Sequence, residues 1–399
     1  MHAADTYARL SRAIAGRRLP LAVVDLGALE RNTTHLLGLT RAHGKRLRLA
    51  TKSVRVPALI QRLLAAGAQG LMCFTAREAI HLWRAHGHHD LLLAYPTLDP
   101  HDLDDLASIA AGGGQVSLVV DSVDHVAAAS ARAALAGTTL PLLLELDVAY
   151  RPLGARVGAL RSPLHTVEDA VALARHIAST PHVRFHGLMA YEAHVAGLPD
   201  RGRVRRWQNP LKRGLKLAAR APLEHTRRAL VDALVAAGLP PTVVNGGGTG
   251  NLPWCAAEPT LTEVTAGSGF LCSHLFDGYR DVALEPALAF ALPVVRAPAP
   301  GVVTALGGGY VGSGQAGADK LPLPWLPAGL RLTGLEGAGE VQTPLLLPAG
   351  LALEPGAPVF LRPAKAGELA ERFTHYLLVD GDRVVDEVPT YRGEGHAFL

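Results

Sequence analysis

The feature that most limits how this chain can fold is an alternation. Short, continuous apolar runs are followed repeatedly by longer stretches whose apolar residues return at helical spacing. The runs cover residues 19–25, 46–50, 70–75, 90–96, 115–121, 140–147, 185–191 and 242–245. After the second come Leu59, Leu63 and Ala66; after the third come Ala76, Ala79, Ile80 and Trp83; after the sixth come Val167, Ala170, Val171 and Ala174. Asp25 is expected to cap a helix carrying Leu29, Leu36 and Leu37. Strands that are apolar throughout are buried on both faces, as in parallel sheets covered by helices. Eight such units predict a closed parallel (β/α)8 barrel of the α/β class, with an open doubly wound sheet as the alternative.

From about residue 280 the pattern changes. Pro and Gly punctuate short β-like runs near residues 292, 302, 358, 376 and 383, which predicts a second, mostly β domain. The division expected is a barrel over 18–278 and a β domain over 279–399, with residues 1–17 packing on the latter.

At 49% hydrophobic and 19% charged residues, the chain has the balance of a globular protein. The formal net charge of +4 is too small a surplus to imply nucleic acid. Ten basic residues fall between Arg201 and Arg228, but with a single aromatic, Trp207, and no binding motif they read as a solvated helical excursion. Cys73, Cys255 and Cys272 are far apart and form no CxxC pair, so neither a disulfide framework nor a zinc knuckle is expected. No apolar run is long enough to span a bilayer, and the first residues lack an apolar signal core. A cytoplasmic protein, bound to neither membrane nor nucleic acid, is the expectation.

Barrel enzymes carry their reacting groups at the carboxyl ends of the strands. Those ends here supply Lys52, Thr75, Tyr95, Asp147, Tyr191 with His194, and the run Asn245-Gly-Gly-Gly-Thr-Gly250. The chain has six lysines against thirty-three arginines, so a lysine at a strand end points to chemistry that needs an amine able to lose its proton. A surface lysine is the plain alternative. Glycines straight off a late strand let backbone N–H groups approach an anion, and Thr249 adds a hydroxyl. A lysine that can form a Schiff base, together with a phosphate cradle, is what pyridoxal phosphate requires.

With Leu49-Ala-Thr-Lys52-Ser, Tyr191-Glu-Ala-His194, Asn245-Gly-Gly-Gly-Thr-Gly250 and Glu263-Val-Thr-Ala-Gly-Ser268, the sequence resembles the D-threonine aldolase/D-serine dehydratase branch of alanine-racemase-fold pyridoxal-phosphate enzymes. The resemblance implies a Schiff base on Lys52, a phosphate site at Gly247, Gly248, Thr249, Gly267 and Ser268, and Arg156 and Tyr191 beside the cofactor ring. It implies His194 as an acid/base for a substrate hydroxyl, although core packing of Tyr191 and a surface role for His194 are nearly as compatible with the residues. It implies a small amino acid substrate and a homodimer. Relatives bind a divalent metal through Pro-x-His-x-Cys or Pro-x-His-x-Asp; the matching place here reads Pro363-Ala-Lys365-Ala-Gly367, which lacks both ligands. No metal is expected there, and Lys365 is expected to put a fixed positive charge in its place, with His375, Asp380, Asp382 and His396 as weak alternative ligands. The activity implied is a lyase reaction, aldol cleavage or dehydration, on a β-hydroxy amino acid of D configuration. The alternatives are a racemase or epimerase, with Tyr310, Tyr376 or Tyr391 as a second base, and a carrier of the coenzyme without turnover.

Overall fold

The computed structural model describes residues 3–399. Eight parallel strands close into a barrel: β2 (Arg46–Ala50), β3 (Leu71–Cys73), β4 (Asp90–Leu93), β5 (Gln115–Val120), β6 (Leu140–Glu145), β7 (Val183–Met189), β8 (Val243–Gly246) and β9 (Glu263–Ala266). Closure is made by β9 against β2, with Leu47 opposite Val264 and Leu49 opposite Ala266. Leu92, Ala94, Val119, Leu143, Met189 and Val243, drawn from successive strands, fill the interior as a cluster separate from the helix-facing core.

The expected barrel is present, but its membership differs from the reading above by one strand. Residues 19–25 were expected to open the barrel; β1 (Leu21–Asp25) instead lies in the second sheet. It runs parallel to β16 (His375–Asp380) and antiparallel to β10 (Leu288–Ala299). The missing barrel strand is β9, which carries Glu263 and Thr265 inside the barrel wall. Arg48 grips Glu263 with Nε and Nη2 at 2.7 and 3.0 Å, and Asn245 Nδ2 donates to Glu263 Oε1 and Thr265 Oγ1, each at 2.8 Å.

The second sheet also contains β11 (Val302–Leu306), β12 (Leu323–Leu326), β13 (Arg331–Leu332), β14 (Gln342–Leu346), β15 (Pro358–Arg362) and β17 (Arg383–Pro389). Helix Ala3–Ala13 packs on this sheet through Leu10, in a cluster with Val23, Ala289 and Phe360. Asp25 caps helix Leu26–Arg41 as expected, accepting from the Ala28 N–H at 3.1 Å. The basic stretch enters a long helix, Asn209–Ala236, whose cations Arg220 and Arg228 are exposed and Lys212 and Arg213 half-buried. Lys216 and Arg227 are buried, and Arg227 has none of its surface open to solvent. No helix among the described residues is long and apolar enough to cross a membrane.

Candidate active site

β2 ends at Ala50, and the chain turns through a short 3-10 segment, Thr51–Ser53, before helix Pro57–Ala66. The turn is pinned from several sides. Thr51 Oγ1 donates to the Met72 carbonyl at 2.9 Å, and the Val54 and Arg55 N–H groups return to Thr51 O. Arg55, at φ 54°, donates from Nε to the Lys52 carbonyl at 3.0 Å and pairs with Glu371. The Lys52 backbone is therefore fixed, while its side chain opens into the barrel mouth. Among the described residues, Lys52 Nζ has no hydrogen-bond acceptor. Its recess is walled deeply enough that burial lowers the ammonium pKa, and the charges of Arg161, Lys365 and Arg55 lower it further.

Arg161 was not singled out in the sequence, yet it is central here. Its guanidinium ion-pairs with Glu145 at 2.8 Å and lies 5.1 Å from the ring of Tyr95 and 5.6 Å from that of Tyr191. Burial pushes the Glu145 carboxyl up to about 7, against the pull of Arg161. Burial also pushes the Tyr191 phenol up to about 12, with Glu192 adding to the rise and Arg161 opposing it.

Two glycine turns complete the mouth. β8 runs into Gly247, whose φ of 83° favours a residue without a side chain, and then Gly248, where a Cβ would stand 3.5 Å from the Tyr191 ring. Off β9, a Cβ at Gly267 would stand 2.6 Å from the Ala50 carbonyl oxygen. The turns are tied together: Ser268 Oγ donates to Ser53 Oγ at 2.9 Å, and the Gly269 N–H donates to Thr249 Oγ1 at 3.1 Å. Contacts thus link the second glycine turn to the Lys52 turn through Ser53 and to the first glycine turn through Thr249, while Gly248 adjoins Tyr191.

Beside the first glycine turn is a buried polar network. Arg227 pairs with Glu192 and with Glu258, and also donates to the Ala190 carbonyl. Glu192 accepts from Asn251 Nδ2 at 2.6 Å, and Asn251 Oδ1 accepts the Gly248 N–H at 3.0 Å. Burial opposes ionisation of Glu192, but Arg227, Cys255 and Asn251 hold its carboxyl below the usual range. The strand end at Tyr191 and the glycine turn are thereby fixed to one buried cation.

Arg156 and His194 lie to one side. Arg156 bonds Asp147 Oδ2 at 2.5 Å and the Ala159 carbonyl at 2.6 Å, so its guanidinium is engaged within its own loop. Burial alone would raise the Asp147 carboxyl, but Arg156, the Ala149 N–H and Arg151 hold it low. His194 is buried and stands near Gly158, and among the described residues its Nε2 has no hydrogen-bond partner. Burial lowers its pKa; Glu192 and Asp147 oppose that and Arg227 adds to it.

The β domain roofs the opening through residues 363–373. Lys365 Nζ reaches Ser313 Oγ at 2.6 Å and Glu368 Oε1 at 3.1 Å, so its charge is partly balanced. A Cβ at Gly367 would overlap the Lys52 carbonyl oxygen, so no side-chain ligand fits at that position. Gly367→Ala is expected to destabilise the protein by about 1–3 kcal/mol, read from the urea midpoint, because the pinned Lys52 turn cannot move aside. His375, Asp380 and Asp382 are exposed on the β16–β17 hairpin, and His396 packs on His81. A cavity of about 770 Å³ lies between residues 201–209 and 276–284; it includes Tyr279 but not Lys52.

Comparison with known proteins places this geometry. The chain is 32% identical over 255 residues to the 3-hydroxy-D-aspartate aldolase of Paracoccus denitrificans (strain Pd 1222), an alignment covering 62% of this chain and 59% of that protein. The chain thus spans under two thirds of the length of that relative. The structure of D-threonine aldolase from Filomicrobium marinum superposes with a TM-score of 0.81 at 22% identity, over 94% of this chain and 95% of the other. That of D-threo-3-hydroxyaspartate dehydratase from Delftia sp. HT23 gives 0.74 at 23% identity, over 95% and 98%. These two structures share the fold. The sequence profile of the alanine racemase N-terminal domain matches residues 24–271, from the end of β1 through the second glycine turn, and the chain belongs to that family.

Proposed function

We propose that this chain is a pyridoxal-phosphate-dependent lyase acting on a β-hydroxy amino acid of D configuration, with Lys52 as the residue that attaches the coenzyme. The observation that carries this reading is the placement of Lys52 at the carboxyl end of a barrel strand, its Nζ without an acceptor among the described residues, where burial and the charges of Arg161, Lys365 and Arg55 lower its pKa. The surroundings fit the coenzyme. Arg55, Arg161 and Lys365 each pair with a carboxylate, so among the described residues Lys52 is the cation of this group left for a phosphate or a substrate carboxylate to balance. Gly247, Gly248, Thr249, Gly267 and Ser268 would hold the phosphate, and Tyr191 and Arg161 would border the ring. Arg156 belongs to the same reading as a residue facing the ring from the Asp147 side. When bound, the coenzyme supplies an electron sink for the pair left at Cα.

The protein's own groups bear on which bond breaks. A neutral imidazole accepts a proton, so the burial-lowered pKa of His194 favours its removing the β-hydroxyl proton. That is the requirement of aldol cleavage; dehydration needs a proton given to the leaving hydroxyl. The names of relatives include both activities. A racemase is less favoured within this chain. The Tyr391 hydroxyl is given to Glu78 at 2.7 Å, the Tyr310 ring packs against Phe290 and Phe373, and Tyr376 is fully buried. A homodimer in the cytoplasm is part of the same reading, supported by the family resemblance and by three buried, unpaired cysteines.

The test is incubation of the purified protein with D-threonine, 3-hydroxy-D-aspartate, D-serine and both alanines, with assays for aldehyde, ammonia and loss of chirality. Aldehyde with glycine from the first two is the expected result; racemised alanine alone would replace the reading. Lys365 is proposed to hold a substrate carboxylate where relatives place a metal. Lys365→Ala is then expected to raise KM about tenfold, the worth of one charge-assisted hydrogen bond, with kcat little changed. An unchanged KM removes that role and leaves the lyase reading standing.

A further inference from the structure

Away from the barrel mouth, helix Ala76–His86 meets the C-terminal residues 390–399 across a cluster of rings. Glu394 Oε2 lies 2.8 Å from His81 Nε2 and 3.3 Å from His86 Nε2, and the three atoms lie within 4.8 Å of one another. We infer that His81, His86 and Glu394 form a site for a divalent transition metal of the zinc class, clamping the C-terminal segment to the barrel.

The geometry carries this inference. A tetrahedral zinc ion with bonds of about 2.0–2.1 Å holds its ligand atoms roughly 3.3–3.5 Å apart, so these atoms need only small side-chain adjustments to close on it. Two imidazole nitrogens and one carboxylate oxygen suit zinc and its neighbours in the first transition row; magnesium and calcium call for more oxygens than this site offers. Three protein ligands leave a fourth position open. The ring centroid of His396 lies 4.2 Å from that of His81, with Phe398 stacked on it, so that side of the site is walled by aromatic rings.

Both ligand-bearing segments are already held. Gly87, at φ 66°, ends the helix immediately after His86. The Glu394 N–H returns to the carbonyls of Thr390 and Tyr391 at 3.0 and 3.1 Å, and Arg77 Nη2 donates to the Phe398 carbonyl at 3.2 Å. The metal would thus meet a largely ordered site. The clamp bears on the rest of the molecule through Tyr391, whose N–H donates to the Arg55 carbonyl at 3.0 Å, Arg55 in turn holding the Lys52 carbonyl.

The alternative is that Glu394 only accepts two imidazole N–H groups. The experiment uses the full chain stripped of metal by a chelator and titrated with Zn²⁺ by calorimetry, and with Co²⁺ by visible absorbance. His86→Ala and Glu394→Gln are carried in parallel; both residues are partly exposed, and near-UV circular dichroism checks that the metal-free variants keep the native fold. The expected result is one Zn²⁺ per chain with affinity about 100-fold weaker in both variants, and a cobalt ligand-field band that both lack. Zn²⁺ should also raise the melting temperature of the unmodified chain and not of the variants. Absence of binding, or binding equally tight in both variants, overturns the assignment, the second result placing the metal elsewhere.

Discussion

Lys52→Ala is expected to abolish the visible absorbance of coenzyme-soaked protein and to lower turnover by about 10⁴-fold, at the upper end of what one positioned acid–base group contributes. Lys52→Arg is expected to fail as completely, because it restores the charge without an amine that can deprotonate. The pair of variants separates a nucleophile from a fixed cation. The pH dependence has a definite sign. Burial and three neighbouring cations lower the Lys52 pKa, so the free amine appears as pH rises and is abundant below the value of about 10.4 at which an ordinary lysine titrates. Coenzyme capture should therefore climb with pH and level off below that point. Borohydride reduction followed by peptide mapping checks the site directly. An alanine variant that still colours, or a label on another residue, removes Lys52 from the role.

Arg227→Ala is expected to cost about 3–5 kcal/mol in urea unfolding, the range found when one member of a buried ion pair is removed. The guanidinium is fully buried between Glu192 and Glu258, and without it both carboxylates lose their cation. Arg227→Met should lose nearly as much, since it fills the volume and leaves the charges unmatched; rescue by methionine would show that packing dominates. In the unmodified protein the lowered pKa of Glu192 means that its pairing adds stability above the unfolded-state value of about 4.3, and that this is lost as pH falls through the folded value. In the variant the same carboxylates are pushed up, so the deficit should be largest at neutral pH and shrink as they protonate. Activity should fall as well, because Glu192 holds Asn251, and Asn251 holds the Gly248 N–H.

The barrel was legible because strands covered on both faces are apolar throughout, and the count of eight held because β1, wrongly included, offset β9, which was missed. One misassignment occurred, for a physical reason. Residues 21–25 are as deeply buried in the second sheet as they would be in a barrel, so periodicity cannot tell the two settings apart. β9 escaped notice because Glu263 and Thr265 give it the look of a loop; only the folded barrel brings Arg48 and Asn245 to neutralise and bond them. At the site, Lys52 stood out against a background of arginine, and the glycine runs stood out by composition. Arg161 did not, because it sits in an irregular stretch with Arg151 and Arg156, and nothing local distinguishes the one that turns towards Tyr191. Glu145 had a usable signal: a lone carboxylate in an otherwise apolar strand must find a cation or a proton, and it finds Arg161.

The position of β1 has a consequence for biosynthesis. This strand emerges from the ribosome early, yet its two neighbours are β10 and β16, which begin at Leu288 and His375. At roughly 5–20 residues per second, the whole barrel is translated before the first neighbour exists, a delay of about 13–50 seconds, and the second follows later still. During that interval an apolar strand stands with both hydrogen-bonding edges vacant beside a nascent barrel. A polypeptide truncated before residue 375 would keep one of those edges open permanently, and such a product should be a preferred client of the cell's chaperones.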